Sequence, residues 1–147
     1  MTPSQNCLNL VKSFEGCVLT PYLDKGGTAT IGYGSTYYLD GTQVTMADPP
    51  ITQAIALELL TNVLDDFASK ITKVVIVPLT QNQFDALCDF CYNLGFEAFR
   101  ESTLLKYLND GKYNDAALQF PLWDHIDGMA DKDLLDRRMV EQKLFLS

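Results

Sequence analysis

Positive charge is scarce in this chain: 11 Lys and Arg stand against 19 Asp and Glu, a net charge of −8 over 147 residues. Phosphate binding depends on clustered cations, so this balance argues against nucleic acid as a partner. No uninterrupted apolar run is long enough for a bilayer, which argues against membrane insertion. The opening MTPSQNCLNLVKSFEG has no basic n-region, and Lys12, Ser13 and Glu15 break its apolar stretch. The expectation is synthesis in a cytosol without a signal peptide. There is no internal repeat and no low-complexity tract. Histidine occurs once, as His125 among Trp123, Asp124 and Asp127, a setting that reads as surface rather than ligand. The four cysteines include Cys88-x-x-Cys91 but no second such pair, so zinc would lack ligands at a plausible spacing. Helical spacing puts Cys88 and Cys91 on one core-facing stripe as small hydrophobes, whereas a Cys7–Cys17 disulfide stays open. Neither metal nor cofactor is expected.

What is present is core material, with 47% hydrophobic and 20% charged residues. A chain of this length buries about two thirds of its unfolded surface and folds without staples. Thr2-Pro3-Ser4-Gln5 reads as a capping box with Thr2 as N-cap. It predicts a first helix over about 3–15 that ends at Gly16 with Glu15 in the last turn. Between Cys17 and Gly41 the texture turns to Gly, Thr and Tyr, and Thr28–Gly34 suits a short strand of a small antiparallel sheet. Pro49-Pro50 introduces a long helix over about 52–73, suited to joining two lobes. Thr80 with Gln83 forms another capping box, for a helix that ends at Gly95. Shorter helices are expected from Ser102 or Thr103 to Asn109, from Asn114 to about Trp123, and from Asp131 to Phe145. The fold class is α+β. A sheet-bearing N-terminal lobe (about 1–50) precedes a connecting helix (about 52–73) and a helical lobe (about 78–147) in a single domain.

Glu15 closes a helix, where the macrodipole presents negative charge and favours the protonated carboxyl. Such a group suits general acid work, although a solvated glutamate is the commoner outcome at a helix end. Asp24 precedes Lys25-Gly26-Gly27, ordinary turn chemistry for an aspartate. Together they form a helix-end acid and a loop acid separated by one strand, the pairing that glycoside hydrolysis requires. Thr30, on the next strand, has a hydroxyl able to hold a water, against a plain β-propensity reading.

Glu15–Asp24 followed by Gly27–Gly34 resembles the catalytic segment of the phage-type lysozymes, glycoside hydrolase family 24, in the pattern of lambdoid phage endolysins. Glu, eight residues, Asp, five residues and Thr reproduce the family spacing at positions 15, 24 and 30. The likeness continues through Val77–Leu87, Tyr92–Gly95, Phe99, Ser102–Lys106, Trp123, Gly128, Leu134, Arg137-Arg138, Glu141 and Leu144-Phe145. It implies a muramidase that hydrolyses the β-1,4 bond between N-acetylmuramic acid and N-acetylglucosamine in peptidoglycan. Glu15 would be the general acid, with Asp24 positioning or activating water and Thr30 orienting it. It also implies that Arg137 or Arg138 approaches Glu15, and that Tyr33, Gly34, Asn93, Ser102 and Arg138 bind the saccharide. A monomer that reaches the wall through a holin pore is the implied setting. Ser35 stands where the family often has His, and Asp133 where it often has Gly. A binding protein without turnover and a lytic transglycosylase are the rival functions, and the water-holding Thr30 favours inversion over retention.

Overall fold

The computed structural model describes all 147 residues and contains seven α-helices and two two-stranded antiparallel sheets. In chain order these are α1 (Gln5–Glu15), β1 (Val18–Leu23), β2 (Ala29–Gly32), α2 (Gln53–Val74), α3 (Gln81–Leu94), α4 (Phe96–Arg100), α5 (Thr103–Asn109), α6 (Tyr113–Gln119), β3 (His125–Ile126), β4 (Met129–Ala130) and α7 (Lys132–Phe145). The α+β expectation holds. The chain divides into two compact units, Leu8–Asp66 on one side and Met1–Cys7 with Phe67–Ser147 on the other. The division falls within α2.

In the Leu8–Asp66 unit, β1 pairs with β2 through Val18↔Gly32, Tyr22↔Thr30 and Leu23↔Ala29. The register shifts between Val18 and Tyr22, where Pro21 can donate no ladder hydrogen bond. The chain then reverses tightly, because Ile31 and Ser35 exchange both backbone hydrogen bonds at 2.8 and 2.9 Å. Gly32 and Gly34 take positive φ of 68° and 88° inside that loop, a region closed to most side chains. A Cβ on Gly32 would also stand 3.3 Å from the Ala56 Cβ of α2, so glycine permits the close approach. Ile31, Val44 and Leu59 form the core here, with Ala29, Tyr38 and Ile51 packed on it.

In the other unit, the second capping box is present as expected. Thr80 Oγ1 accepts from the Gln83 N–H at 3.1 Å, and Gln83 Oε1 accepts from the Thr80 N–H at 2.9 Å. Gly95 ends α3 with φ 91°. Phe90 on α3 centres an aromatic cluster, with Phe99, Phe120 and Trp123 set edge-on at 6.2, 5.7 and 5.5 Å. Trp123 is therefore half in the core, and Cys88 and Cys91 are fully buried with free thiols. Cys7, buried, and Cys17, exposed, are free thiols as well.

One local expectation is corrected, and two elements stand where none was expected. The first helix starts at Gln5 rather than residue 3, and Thr2 is not its cap. Instead Ser4 Oγ accepts from the Asn6 N–H at 3.2 Å, while Ser4 donates both N–H and O–H to the buried Asp85 carboxylate. The Thr2 carbonyl accepts from Gln81 Nε2 at 2.9 Å, so contacts to α3 override the local capping pattern. A short helix, α4, occupies Phe96–Arg100, for which no element was expected. Finally, β3 and β4 form a hairpin around Asp127-Gly128, both with positive φ. Asp-Gly is the strongest two-residue hairpin signal, and it stood in the sequence unread.

Candidate active site

Glu15 is the last residue of α1, and Gly16 follows with φ 66° and its N–H on the Lys12 carbonyl at 3.0 Å. This left-handed stop turns the chain from helix to strand within two residues and leaves Glu15 half-buried. Asp24 lies just past β1. Its Oδ1 accepts from the backbone N–H groups of Gly26 at 2.9 Å and Thr28 at 2.8 Å. Two backbone donors on one oxygen fix the carboxylate in rotation, and Oδ2 is left as its basic atom. The side chain is exposed, so that atom is reachable from solvent.

Thr30, on β2, is 3% exposed, and its hydroxyl donates to the Thr28 carbonyl at 2.9 Å. With its one proton committed there, Thr30 Oγ1 can only accept from a neighbouring molecule. The same carbonyl accepts from the Asp24 N–H at 3.0 Å. The backbone of Thr28 therefore holds both side chains, giving its N–H to Asp24 and taking the O–H of Thr30. Sequence reasoning found Asp24 and Thr30 but not this link, because the Thr28 side chain takes no part in it.

Tyr22 was also missed. It pairs directly with Thr30 across the sheet, and alternation along β1 puts it on the same face as Asp24. Burial, then the charge of Glu15, then that of Asp24, push the phenol above its ordinary range. Both acids thus add to burial in disfavouring ionisation of this half-buried phenol. Nearby, Lys12 Nζ lies 5.7 Å from the centre of the Tyr33 ring, and Tyr33 itself is 5% exposed. Ser35, in the position where a family His was noted, is buried, and its Oγ has no hydrogen-bond partner.

The remaining candidates lie in the helical unit. Ser102 caps α5, accepting from the Leu105 N–H at 3.1 Å and donating to the Phe99 carbonyl at 2.6 Å. Arg138, fully buried, donates to Asn93 Oδ1 at 2.7 Å and to Glu141 Oε1 at 2.8 Å, with its guanidinium 5.2 Å from the Phe90 ring centre. Arg137 forks onto Asp89 through Nε at 2.9 Å and Nη2 at 2.8 Å. Asn93 keeps its amide N–H₂ outside this network.

Comparison with known proteins decides the family, since the phage lysozyme family matches residues 12–141. The chain belongs to the phage lysozyme family. It is 42% identical over 149 residues to an endolysin of Bacillus phage PZA, covering 100% of this chain but 56% of that protein. It is also 42% identical over 150 residues to the endolysin of Salmonella phage P22, covering 100% and 99% of the two chains. The chain thus spans little more than half the length of the Bacillus phage relative. Among solved structures, a mutant P22 lysozyme superposes with a TM-score of 0.88 at 41% identity, covering 100% and 99% of the chains. An endolysin from Escherichia coli O157:H7 phage FAHEc1 gives 0.91 at 34% identity, covering 100% and 94%. As a phage lysozyme, the chain has the helical fold with a small antiparallel sheet seen in these neighbours. No helix in it is long and apolar enough to cross a membrane.

Proposed function

We propose that this phage lysozyme is an endolysin-type muramidase, hydrolysing the β-1,4 bond between N-acetylmuramic acid and N-acetylglucosamine in bacterial peptidoglycan. The observation that carries the reading is the shared support of Asp24 and Thr30 by the Thr28 backbone, with Glu15 half-buried at the end of α1. A water between Asp24 Oδ2 and Thr30 Oγ1 meets two acceptors. It gives one hydrogen to each, and a lone pair is left to face the anomeric carbon. As the C–O bond breaks, Glu15 donates its proton to the leaving oxygen, and Asp24 takes a proton from the attacking water. The steps balance as hydrolysis with two carboxyl groups and one water, and attack by a held water inverts the anomeric centre.

Tyr33 and Gly34 are proposed to border the saccharide beside these groups. Asn93 is proposed as a donor, because Arg138 occupies its carbonyl oxygen and aims its amide N–H₂ elsewhere. Ser102 and Arg138 take part in saccharide binding by fixing the local backbone and Asn93. The protein is proposed to act as a monomer and to meet the wall through a holin-type pore, by likeness to its family.

The test is mass spectrometry of muropeptides after digestion of purified peptidoglycan by the wild type and by Glu15→Gln. Reducing-end products from the wild type alone support the reading. Anhydro-sugar ends would replace it with a lytic transglycosylase, and no products from either protein, across pH and salt, would leave a binding role.

A further inference from the structure

Asp89, Phe90 and Asn93 stand three or four residues apart on α3, on the face that meets α7. Arg137 forks onto Asp89, which leaves Glu141 as the carboxyl group at ion-pair distance from Arg138. Arg138 Nη2 donates to Glu141 Oε1 at 2.8 Å, and Nε lies 2.8 Å from Oε2. Both side chains are fully buried, one turn apart on α7, and the Phe90 ring covers the guanidinium with its centre 5.2 Å away. The same Nη2 gives its other hydrogen to Asn93 Oδ1 at 2.7 Å. A guanidinium has no acceptor, so the Asn93 amide can face it only by its oxygen. The N–H₂ end is thereby turned out of the network, on a half-buried side chain in the last turn of α3.

We propose that Glu141 is a positioning residue for recognition of the wall: by clamping Arg138 against Asn93 Oδ1 it makes Asn93 a donor-only contact, which selects a carbonyl oxygen of the ligand. The inference rests on the reading that Asn93 meets peptidoglycan. Left alone, a primary amide rotates by half a turn and offers donor or acceptor to whatever approaches. Held by Arg138, it serves a carbonyl oxygen and leaves an amine or a second N–H without a partner, a penalty that separates ligands. In peptidoglycan the acetamido groups of the sugars and the amides of the stem peptide both carry such an oxygen. Oε1 accepts from Arg138 whether or not the Glu141 carboxyl carries a proton, so the clamp holds in either form. Glu141, being fully buried, acts through Arg138 and then Asn93.

The test is a mutant cycle on the turnover of purified peptidoglycan, crossing Asn93→Ala with loss of the clamp. Glu141→Leu removes the clamp; because a lone buried Arg138 destabilises the fold, Arg138→Leu combined with Glu141→Leu removes it without stranding a charge. With the clamp present, Asn93→Ala should raise KM about 3- to 10-fold and leave kcat within about 2-fold. With the clamp absent it should cost less than about 2-fold, because a freed amide must be ordered by the ligand itself. A second measurement needs no turnover: 15N relaxation of the Asn93 side-chain amide. That amide should be rigid in the wild type and in Glu141→Gln, which keeps an acceptor for Arg138, and mobile in the clamp-less proteins. Peptidoglycan stripped of its stem peptides by an amidase separates the two oxygens. An Asn93→Ala effect that persists there assigns the acetamido group and one that vanishes assigns the peptide, and either supports the proposal. An Asn93→Ala cost that is equal with and without the clamp overturns this inference alone, as does an Asn93 amide just as rigid in the double variant. If Asn93→Ala changes nothing on intact peptidoglycan, the reading of Asn93 as a wall contact fails and this inference with it. A wild type that cleaves nothing overturns the muramidase reading on which both rest.

Discussion

Glu141 offers a sharp test of how charge is held inside the helical unit. It is fully buried on α7, between the Asp89 carboxylate and Arg138. Burial first, and then the Asp89 carboxylate, push Glu141 well above the usual carboxylate range, against the pull of Arg138 and Arg137. Burial would raise Asp89 too, but the hydrogen bonds from Arg137 outweigh it and hold Asp89 below its ordinary value. Burial therefore favours the protonated form of Glu141 in the folded chain. Arg138 meets both oxygens, donating from Nη2 to Oε1 at 2.8 Å and placing Nε 2.8 Å from Oε2.

The sign follows directly. Above the unfolded value of 4.5 the unfolded chain has released this proton while the folded chain keeps it. Wild-type stability therefore falls as pH rises from about 4.5 to the raised folded value, by up to about 1.4 kcal/mol per pH unit. Glu141→Gln has no proton to keep, yet its amide can donate to Asp89 and accept from Arg138. Its stability relative to wild type should climb through that window, starting within about 1 kcal/mol of it at pH 4.5. Glu141→Ala, which strips Arg138 of its carboxylate and opens a hole, should cost about 3–5 kcal/mol. Urea denaturation of the three proteins from pH 4.5 to 8 supplies the curves. Parallel wild-type and Glu141→Gln curves would refute the buried proton.

Other consequences are equally open to measurement. Thr30→Val removes the acceptor proposed for the attacking water and should lower kcat by about 10²-fold, whereas Thr30→Ser should stay within about 10-fold; equal losses in the two would sink the water-holding role. Gly32→Ala forces a Cβ onto a residue at positive φ, 3.3 Å from Ala56, and should cost about 1–2 kcal/mol by thermal or urea melts. Thr80→Ala breaks the capping box of α3 and should cost about 1 kcal/mol, an effect that Thr80→Ser should largely avoid. With a net charge of −8 against an anionic wall, wall lysis should speed up as salt is raised from about 10 to 150 mM; a monotonic slowing would contradict repulsion as the brake.

Much of this was legible in the sequence because it is local. The Thr80–Gln83 box, the Gly95 stop, the Ser102 and Asp131 caps and the long α2 all declare themselves within a few residues. The start of α1 misled because its outcome is decided by Asp85, 81 residues away from Ser4. The Asp127-Gly128 hairpin is equally local, its turn dipeptide being the signal. At the site, spacing exposed Glu15, Asp24 and Thr30, and alternation along β1 would have added Tyr22. Ser102 and Arg138 are harder, because a side chain that builds and a side chain that binds look alike in a string of letters.

The contact between Asp24 and Thr30 through residue 28 has a bearing on how such proteins are dissected. Scanning mutagenesis replaces side chains, and at Thr28 it would report near-indifference, since the exposed threonine side chain supports neither neighbour. An amide-to-ester exchange at the same position would instead delete the N–H that Asp24 relies on. Genetic tolerance at residue 28 and mechanical necessity of its peptide can therefore coexist. A map of this protein drawn only from variants would leave blank the point on which the Asp24 and Thr30 side chains both turn.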